Sequence, residues 1–335
     1  LHNPLLLSMF ILTYRYNPEI PKRKSDFYYN VFDTLYIKHD TRSKSGSYIH
    51  ERKCKFEKDQ YLQVLRYFSF LSFFNGKYLF DTSYLNRKLS EIKTKYNLSF
   101  DNDNMIYDLS VSIAILVKDG LEYGFPHRSM QEYFAADLIS TLQDKVKKDI
   151  IYKEVLKKNY GSDGYNFWSL CEELDELCFQ SYFLIKYLKE YEKILVKERT
   201  DTDNPVHTVF LNMCELSSVV FNTNQTGVHS IRYSTSIHDA VSKYVLRYNN
   251  LLEGIFRWSE KYKKEVDTLL EVAGVEESFA VEITPLVDPH KSYLLKTHLP
   301  DMVYERFKTL KEKISDIEKN IKSKKLQEED LINLL

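Results

Sequence analysis

His127, Gln131 and Glu132 fall within twelve residues, Phe125-Pro-His127-Arg-Ser-Met-Gln131-Glu132-Tyr133-Phe134-Ala-Ala136. A histidine close to a carboxylate suggests acid–base work, the imidazole moving a proton while Glu132 steadies it. The location points to a different task. The stretch sits where an extended run gives way to a helix. A histidine at such a join can reach a ligand, whereas one inside a helix is usually committed to packing. Read in place, His127 restrains an anionic group and performs no chemistry on it. The structural alternative is an imidazole that caps the helix or is satisfied beside a tight turn.

No other constellation competes. The remaining histidines (His2, His39, His50, His207, His229, His238, His290 and His298) are dispersed, and no His-Glu-x-x-His helix occurs. Cys54, Cys171, Cys178 and Cys214 form no Cys-x-x-Cys pair, so they read as reduced thiols. No Ser-His-Asp or Cys-His spacing stands out. Trp168 and Trp258 read as core. The acidic cluster Glu172-Glu173 with Asp175-Glu176, and the lysine-rich run 145–158, read as solvated helix faces.

Composition limits the frame that holds this stretch. The chain has 335 residues, enough for two or three domains. Hydrophobic residues make up 43 % and charged residues 28 %, the balance of a globular chain. With 26 Tyr and 20 Phe against 9 Gly and 8 Pro, helices are favoured and a glycine-rich phosphate loop is not. A formal net charge of −1 supplies no global field for nucleic acid or an anionic membrane. The apolar run 5–12 is too short to span a bilayer, so a cytoplasmic, non-membrane protein is expected. The opening Leu1, running straight into a hydrophobic helix, reads as the C-terminal part of a longer protein.

The elements follow from spacing. A buried helix is predicted over 4–16, with Asn3 as N-cap and Pro4 at its first turn. Pro18 and Pro21 end it, and Ser25-Asp26 starts a second helix. A polar loop covers 40–54 and a third helix 57–75. Phe80-Asp81-Thr82 reads as a short extended segment, followed by helices over 83–96 and 101–112. Ile113–Val117 and Leu121–Phe125, separated by Lys-Asp-Gly120, make a hairpin signal. A helix over 128–142 leaves it. Beyond lie predicted helices at 145–158, 165–198, 205–221, 238–273 and 300–333, a polar loop at 222–236 and an irregular connection at 274–299. In the last helix, Phe307, Leu310, Ile314, Ile317 and Ile321 form either a short coiled-coil seam or the face of a helix docked on its own domain. The expected fold is mainly α. A helical domain over 1–50 precedes a winged helix with a short β-hairpin over 55–145 and a C-terminal all-α region over 146–335.

Three segments, in this order, resemble the regulatory half of NACHT-type STAND NTPases: Asn3-Pro4-Leu-Leu-Leu7, Ile20-Pro21-Lys-Arg23-Lys-Ser-Asp-Phe27-Tyr28, and the 125–136 stretch. The resemblance covers about residues 1–145. It implies a switch. ADP, or ATP with Mg²⁺, would sit between an upstream P-loop domain, the helical domain and the winged helix. His127 would contact the ADP β-phosphate and hold the inactive state, and Pro4 would pack near the adenine. An imidazole N–H can donate to a phosphate oxygen, and an anionic partner favours the protonated ring. Gln131 and Glu132 would be structural, Glu132 capping or pairing, while Tyr133, Phe134 and Ala136 pack the helix onto the wing.

The chain has no Gly-x-x-x-x-Gly-Lys-Ser/Thr motif and no Asp-rich strand. No cofactor and no ATP hydrolysis are therefore expected of it alone. The resemblance supplies its partners: P-loop and effector domains upstream, a homo-oligomer on activation, and a trigger that is a phage protein or a nucleic acid. By analogy the parent is a bacterial antiviral signalling ATPase. Two other classes are compatible with the sequence. A nucleic-acid-binding winged helix would use Arg87, Lys88, Lys93 and Lys95 on helix 83–96. A helical scaffold would have no nucleotide function.

Overall fold

A computed structural model describes residues 4–42, 51–157, 165–223, 229–235, 268, 271, 280–282 and 287–333. The expected cap Asn3, Trp258 and most of the predicted helix 238–273 lie outside them. The chain is mainly helical and divides into two compact units, Leu1–Lys148 with Asn166–Glu176, and Asp149–Tyr165 with Leu177–Leu335.

In the first unit, α1 (Pro4–Tyr16) and α2 (Lys24–Arg42) pack on each other. α3 (Lys58–Phe74) is opened by a capping box of Glu57 and Gln60. β1 (Leu79–Asp81) leads into α4 (Thr82–Tyr96), whose first turn is capped by Asp81 accepting from Tyr84 N–H at 2.7 Å. α4 stops at Asn97, which adopts the left-handed conformation at φ 53°. α5 (Asn102–Tyr107) runs on as a π-helical turn, Asp108–Ser112. β2 (Val117–Asp119) and β3 (Glu122–Gly124) close a hairpin, and α6 (Arg128–Thr141) follows. The antiparallel sheet has order β1-β3-β2, with Phe80 and Lys118 both opposite Tyr123. α8 (Tyr165–Leu174) lies almost wholly in this unit. There Trp168 is fully buried and Phe167 packs tilted against Phe73, with centroids 4.7 Å apart.

A buried carboxylate pins the loop that precedes α3. Asp108, in the π-turn, accepts from Lys53 N–H at 2.7 Å, Cys54 N–H at 2.8 Å and the Tyr61 hydroxyl at 2.6 Å. Taking an ion out of water is tolerable only when hydrogen bonds replace its hydration, and Asp108 has them. Burial, reinforced by Asp108, pushes the Cys54 thiol up to about 12, so it stays protonated. All four cysteines are free thiols.

The second unit contains α9 (Glu176–Phe179), a π-turn (Gln180–Leu184), α10 (Ile185–Leu195) and α11 (Pro205–Leu216). α7 (Lys145–Lys157) precedes them, and α12 (Val287–Leu294) and α13 (Leu299–Asn333) end the chain. Val303, Phe307, Leu310 and Ile314 of α13 are buried, and α13 packs on α10 and α11. The docked-helix reading therefore describes the last helix.

Several expectations need correction. The C-terminal region is not all-α. β4 (Ser217–Thr223), β5 (His229–Thr235) and β6 (Ala280–Glu282) form an antiparallel sheet of order β5-β4-β6. The predicted helix 205–221 ends at Leu216, and the supposed polar loop 222–236 contains a strand. Ser-Ser-Val-Val-Phe-Asn-Thr and His-Ser-Ile-Arg-Tyr-Ser-Thr carry β-branched and aromatic residues among short hydroxyl side chains. That composition suits a pleated strand better than a helix or loop. The irregular stretch 274–299 holds β6 and α12. The helix 165–198 is interrupted at Asp175 and by the π-turn.

In the hairpin, the first strand begins at Val117 and not at Ile113. Ile113, Ile115 and Leu116 are buried, and Ala114 turns the chain at φ 57°. Their apolar character serves the core and not a strand ladder. Gly120 makes the two-residue turn at φ 58°. α1, expected to be buried, hides Met9 and Thr13 while Leu7, Ile11 and Tyr14 are exposed.

Candidate functional site

α6 begins immediately after the hairpin and is enclosed by protein, with every residue from Ser129 to Ile139 buried. Such a helix cannot rely on water to satisfy its first turn. His127 supplies the cap. Its backbone is extended (φ −140°, ψ 137°), and its Nδ1 accepts from Ser129 N–H at 3.2 Å. Nδ1 is three bonds from Cα, as is the side-chain oxygen of Asn, so a histidine can take the place of the usual Asn or Asp cap. Ser129 Oγ lies 2.6 Å from the same nitrogen. The imidazole is half-buried, and burial lowers its pKa from the ordinary 6.5. The sequence expectation of a ring made cationic by an anionic partner is thus opposed by the ring's own surroundings.

Gln131 and Glu132 divide the polar work of the helix. Gln131 Nε2 donates to Ser72 Oγ at 2.7 Å and to the Lys77 carbonyl at 2.9 Å, tying α6 to the C-terminal end of α3. Glu132, almost fully buried, pairs through Oε1 with Arg128 Nε at 3.2 Å, and its Oε2 accepts from Asn166 Nδ2 at 2.7 Å. Arg128 Nη2 donates to the Tyr78 hydroxyl at 2.7 Å. Glu132 was expected to cap or pair within the winged-helix domain; its partners are Arg128, one turn earlier on α6, and a residue outside that domain. Its second partner, Asn166 on α8, lies 34 positions away and no local signal pointed to it.

The aromatic residues face α2 as much as the hairpin. Tyr133 packs on Tyr28 (centroids 5.7 Å apart), and Phe134 meets Phe32 edge-on at 5.9 Å and Phe125 at 6.1 Å. Phe125 in turn reaches Phe80 of β1 at 6.4 Å. Tyr28, from the 20–28 segment, also interacts through its phenol with the side chains of Ser129 and Asn166, while burial raises its pKa. Two of the three sequence segments therefore meet in one polar cluster: Tyr28 of α2, His127 to Glu132 at the head of α6, and Asn166 of α8. Pro4, at the exposed first turn of α1, is not a member of it; its carbonyl accepts from Ser8 Oγ at 3.0 Å.

The acidic cluster 172–176 and the lysine run 145–158 also do more than face water. Glu173 accepts from Ser25 N–H at 3.0 Å, an anion placed at the N-terminus of α2. Lys148, buried, pairs with Asp175 and donates to the Ser140 carbonyl at 3.2 Å. Near the turn into α2, an open cleft of about 560 Å³ is lined by Asn17, Pro21, Ser25, Asp26, Tyr29 and Tyr133, among others, but not by His127.

Among the described residues, no group of three His, Cys, Asp or Glu could hold a metal ion, and no helix is long and apolar enough to cross a membrane. The cluster thus orders the N-terminus of α6. No family model matches the chain, and no curated protein matches it.

Proposed function

We propose that this chain is the regulatory portion of a nucleotide-switched ATPase of the NACHT type, acting in bacterial antiviral defence, with His127 as the contact to an ADP phosphate. The carrying observation is the position of His127. It caps a helix buried from Ser129 to Ile139, directly after a hairpin whose sheet has order β1-β3-β2; the element order α3, β1, α4, α5, β2, β3 supports the winged-helix reading. A ligand that pulls on this ring pulls on the cap of the most buried helix in its unit, a suitable lever for a two-state switch. Pro4, the ADP or ATP with Mg²⁺, the upstream domains and the oligomer remain part of the same proposal on the strength of the sequence resemblance.

The nucleic-acid reading is weakened by the same arrangement. α5 with its π-turn, Asn-Asp-Asn-Met-Ile-Tyr-Asp-Leu-Ser-Val-Ser, adds no Arg or Lys to the four basic residues of α4. On α4, Lys88 pairs with Glu91 at 2.7 Å, and Lys93 donates to the Phe100 carbonyl at 3.0 Å.

The test is His127→Leu in the parent protein in cells. Constitutive signalling or toxicity without a trigger is expected. A variant that folds, stays silent and retains as much co-purified ADP as the wild type would sink the reading.

A further inference from the structure

An imidazole has two possible donors, and which one carries the proton decides how a bound anion is held. At His127 a main-chain group makes that choice. Ser129 N–H can only donate, and it is directed at Nδ1 at 3.2 Å. A proton on Nδ1 would oppose that N–H. Ser129 Oγ, 2.6 Å from the same nitrogen, can turn its own proton toward it. Ser129 is buried, and its side chain is backed by the phenol of Tyr28, itself buried and held by Asn166. The ring is therefore braced from α2 as well as from its own helix.

We propose that Ser129 and Tyr28 are positioning residues for His127, holding a neutral imidazole with Nδ1 as acceptor so that Nε2–H is the ring's donor to an anionic ligand oxygen. This rests on the reading of His127 as the anion contact. Burial of the ring favours the same neutral form. Arg128, the next residue, pairs with Glu132 and bonds Tyr78, and Tyr28 is uncharged near neutrality. The arrangement also makes α2 part of the contact. If Tyr28 withdraws, the Ser129 hydroxyl that faces Nδ1 loses its support.

The test is long-range ¹H–¹⁵N NMR on the whole chain labelled at histidine, with the His127 signals identified by their loss in His127→Asn. Near neutral pH the Nε2–H tautomer is expected. Ser129→Ala keeps the main-chain donor and removes the hydroxyl, so the tautomer ratio should move about 2- to 10-fold toward Nδ1–H. Ser129→Thr should restore it, and Tyr28→Phe should move it in the same direction by less. An Nδ1–H tautomer or an imidazolium in the wild type would overturn the proposal. So would a folded Ser129→Ala protein whose His127 shifts stay put, because a purely structural serine would lower stability without touching the ring. Should Ser129→Ala not fold, the wild-type spectrum and Tyr28→Phe still decide. The nucleotide reading fails separately: a parent protein that keeps its ADP equally well with His127→Leu would remove the phosphate contact and leave the tautomer result standing.

Discussion

α6 and α13 are both long helices with many apolar residues, but they are held in opposite ways. α13 buries one stripe, Val303, Phe307, Leu310 and Ile314, at 3–4 residue spacing. Its other faces carry exposed pairs such as Lys308–Glu305 and Lys319–Asp316. It is a periodic amphipathic helix whose stability comes from packing. α6 has no such stripe. Every residue from Ser129 to Ile139 is buried, including Gln131, Glu132 and Asp137, and each of these three polar side chains has a partner. The difference shows where a constraint beyond packing lies. A docked helix tolerates charge on its outer face, whereas an enclosed one needs a bonding partner for each polar group it carries.

Deleting the centre of each helix core sharpens that contrast most. Phe134→Ala should cost about 3–5 kcal/mol, since the ring is fully buried between Phe32 and Phe125. Ile314→Ala should cost about 2–4 kcal/mol. Urea titration checks both, and a Phe134→Ala loss below that of Ile314→Ala would break the idea that α6 is the more tightly enclosed.

Next comes the polar half of the comparison. Gln131→Leu leaves Ser72 Oγ without its donor and the Lys77 carbonyl short of one, so a loss of about 1–3 kcal/mol is expected despite the added apolar character. A stabilised Gln131→Leu protein would mean that α6 is held by packing alone, as α13 is.

Smaller still is the pH dependence of the cap. The folded His127 pKa lies below its ordinary 6.5. Between the folded value and 6.5 the unfolded chain binds more protons. The contribution of neutral His127 is therefore complete above 6.5 and is lost as pH falls through the folded pKa. His127→Asn keeps a capping acceptor and removes the titration, so its denaturation midpoint should fall less than that of the wild type between about pH 7.5 and about pH 5.5. Parallel curves would show that the ring titrates alike in both states. Least of all, Lys319→Ala on the exposed face of α13 should change stability by no more than about 0.5 kcal/mol, and a larger midpoint shift would show that this face is not merely solvated.

Much of the first unit was legible from residues alone. Pro18, Pro21 and the Asp-Gly pair mark its element ends, because backbone punctuation acts within a few residues. The buried run Ile113–Leu116 was misread for a related reason: apolar and β-branched residues look the same whether they line a strand or plug a core. In the second unit, strands β4 and β5 were hidden because their polar residues suggested a loop and a helical run led straight into them. The cluster around His127 was half visible. The residues at the head of α6 stood out, whereas the contributions of Tyr28 and Asn166 did not, since they lie about a hundred and about forty positions away and only packing brings them in.

The sequence by itself determined the helical character, most helix boundaries in the first unit, and the join at which His127 stands, because caps, breakers and 3–4 spacing are local physics. Only the tertiary structure decided that α6 is enclosed, which of its polar groups meet which partners, and that His127 offers Nδ1 to its own helix. Those outcomes depend on the approach of α2, α3 and α8, and burial is a property of what surrounds a residue, not of the residue.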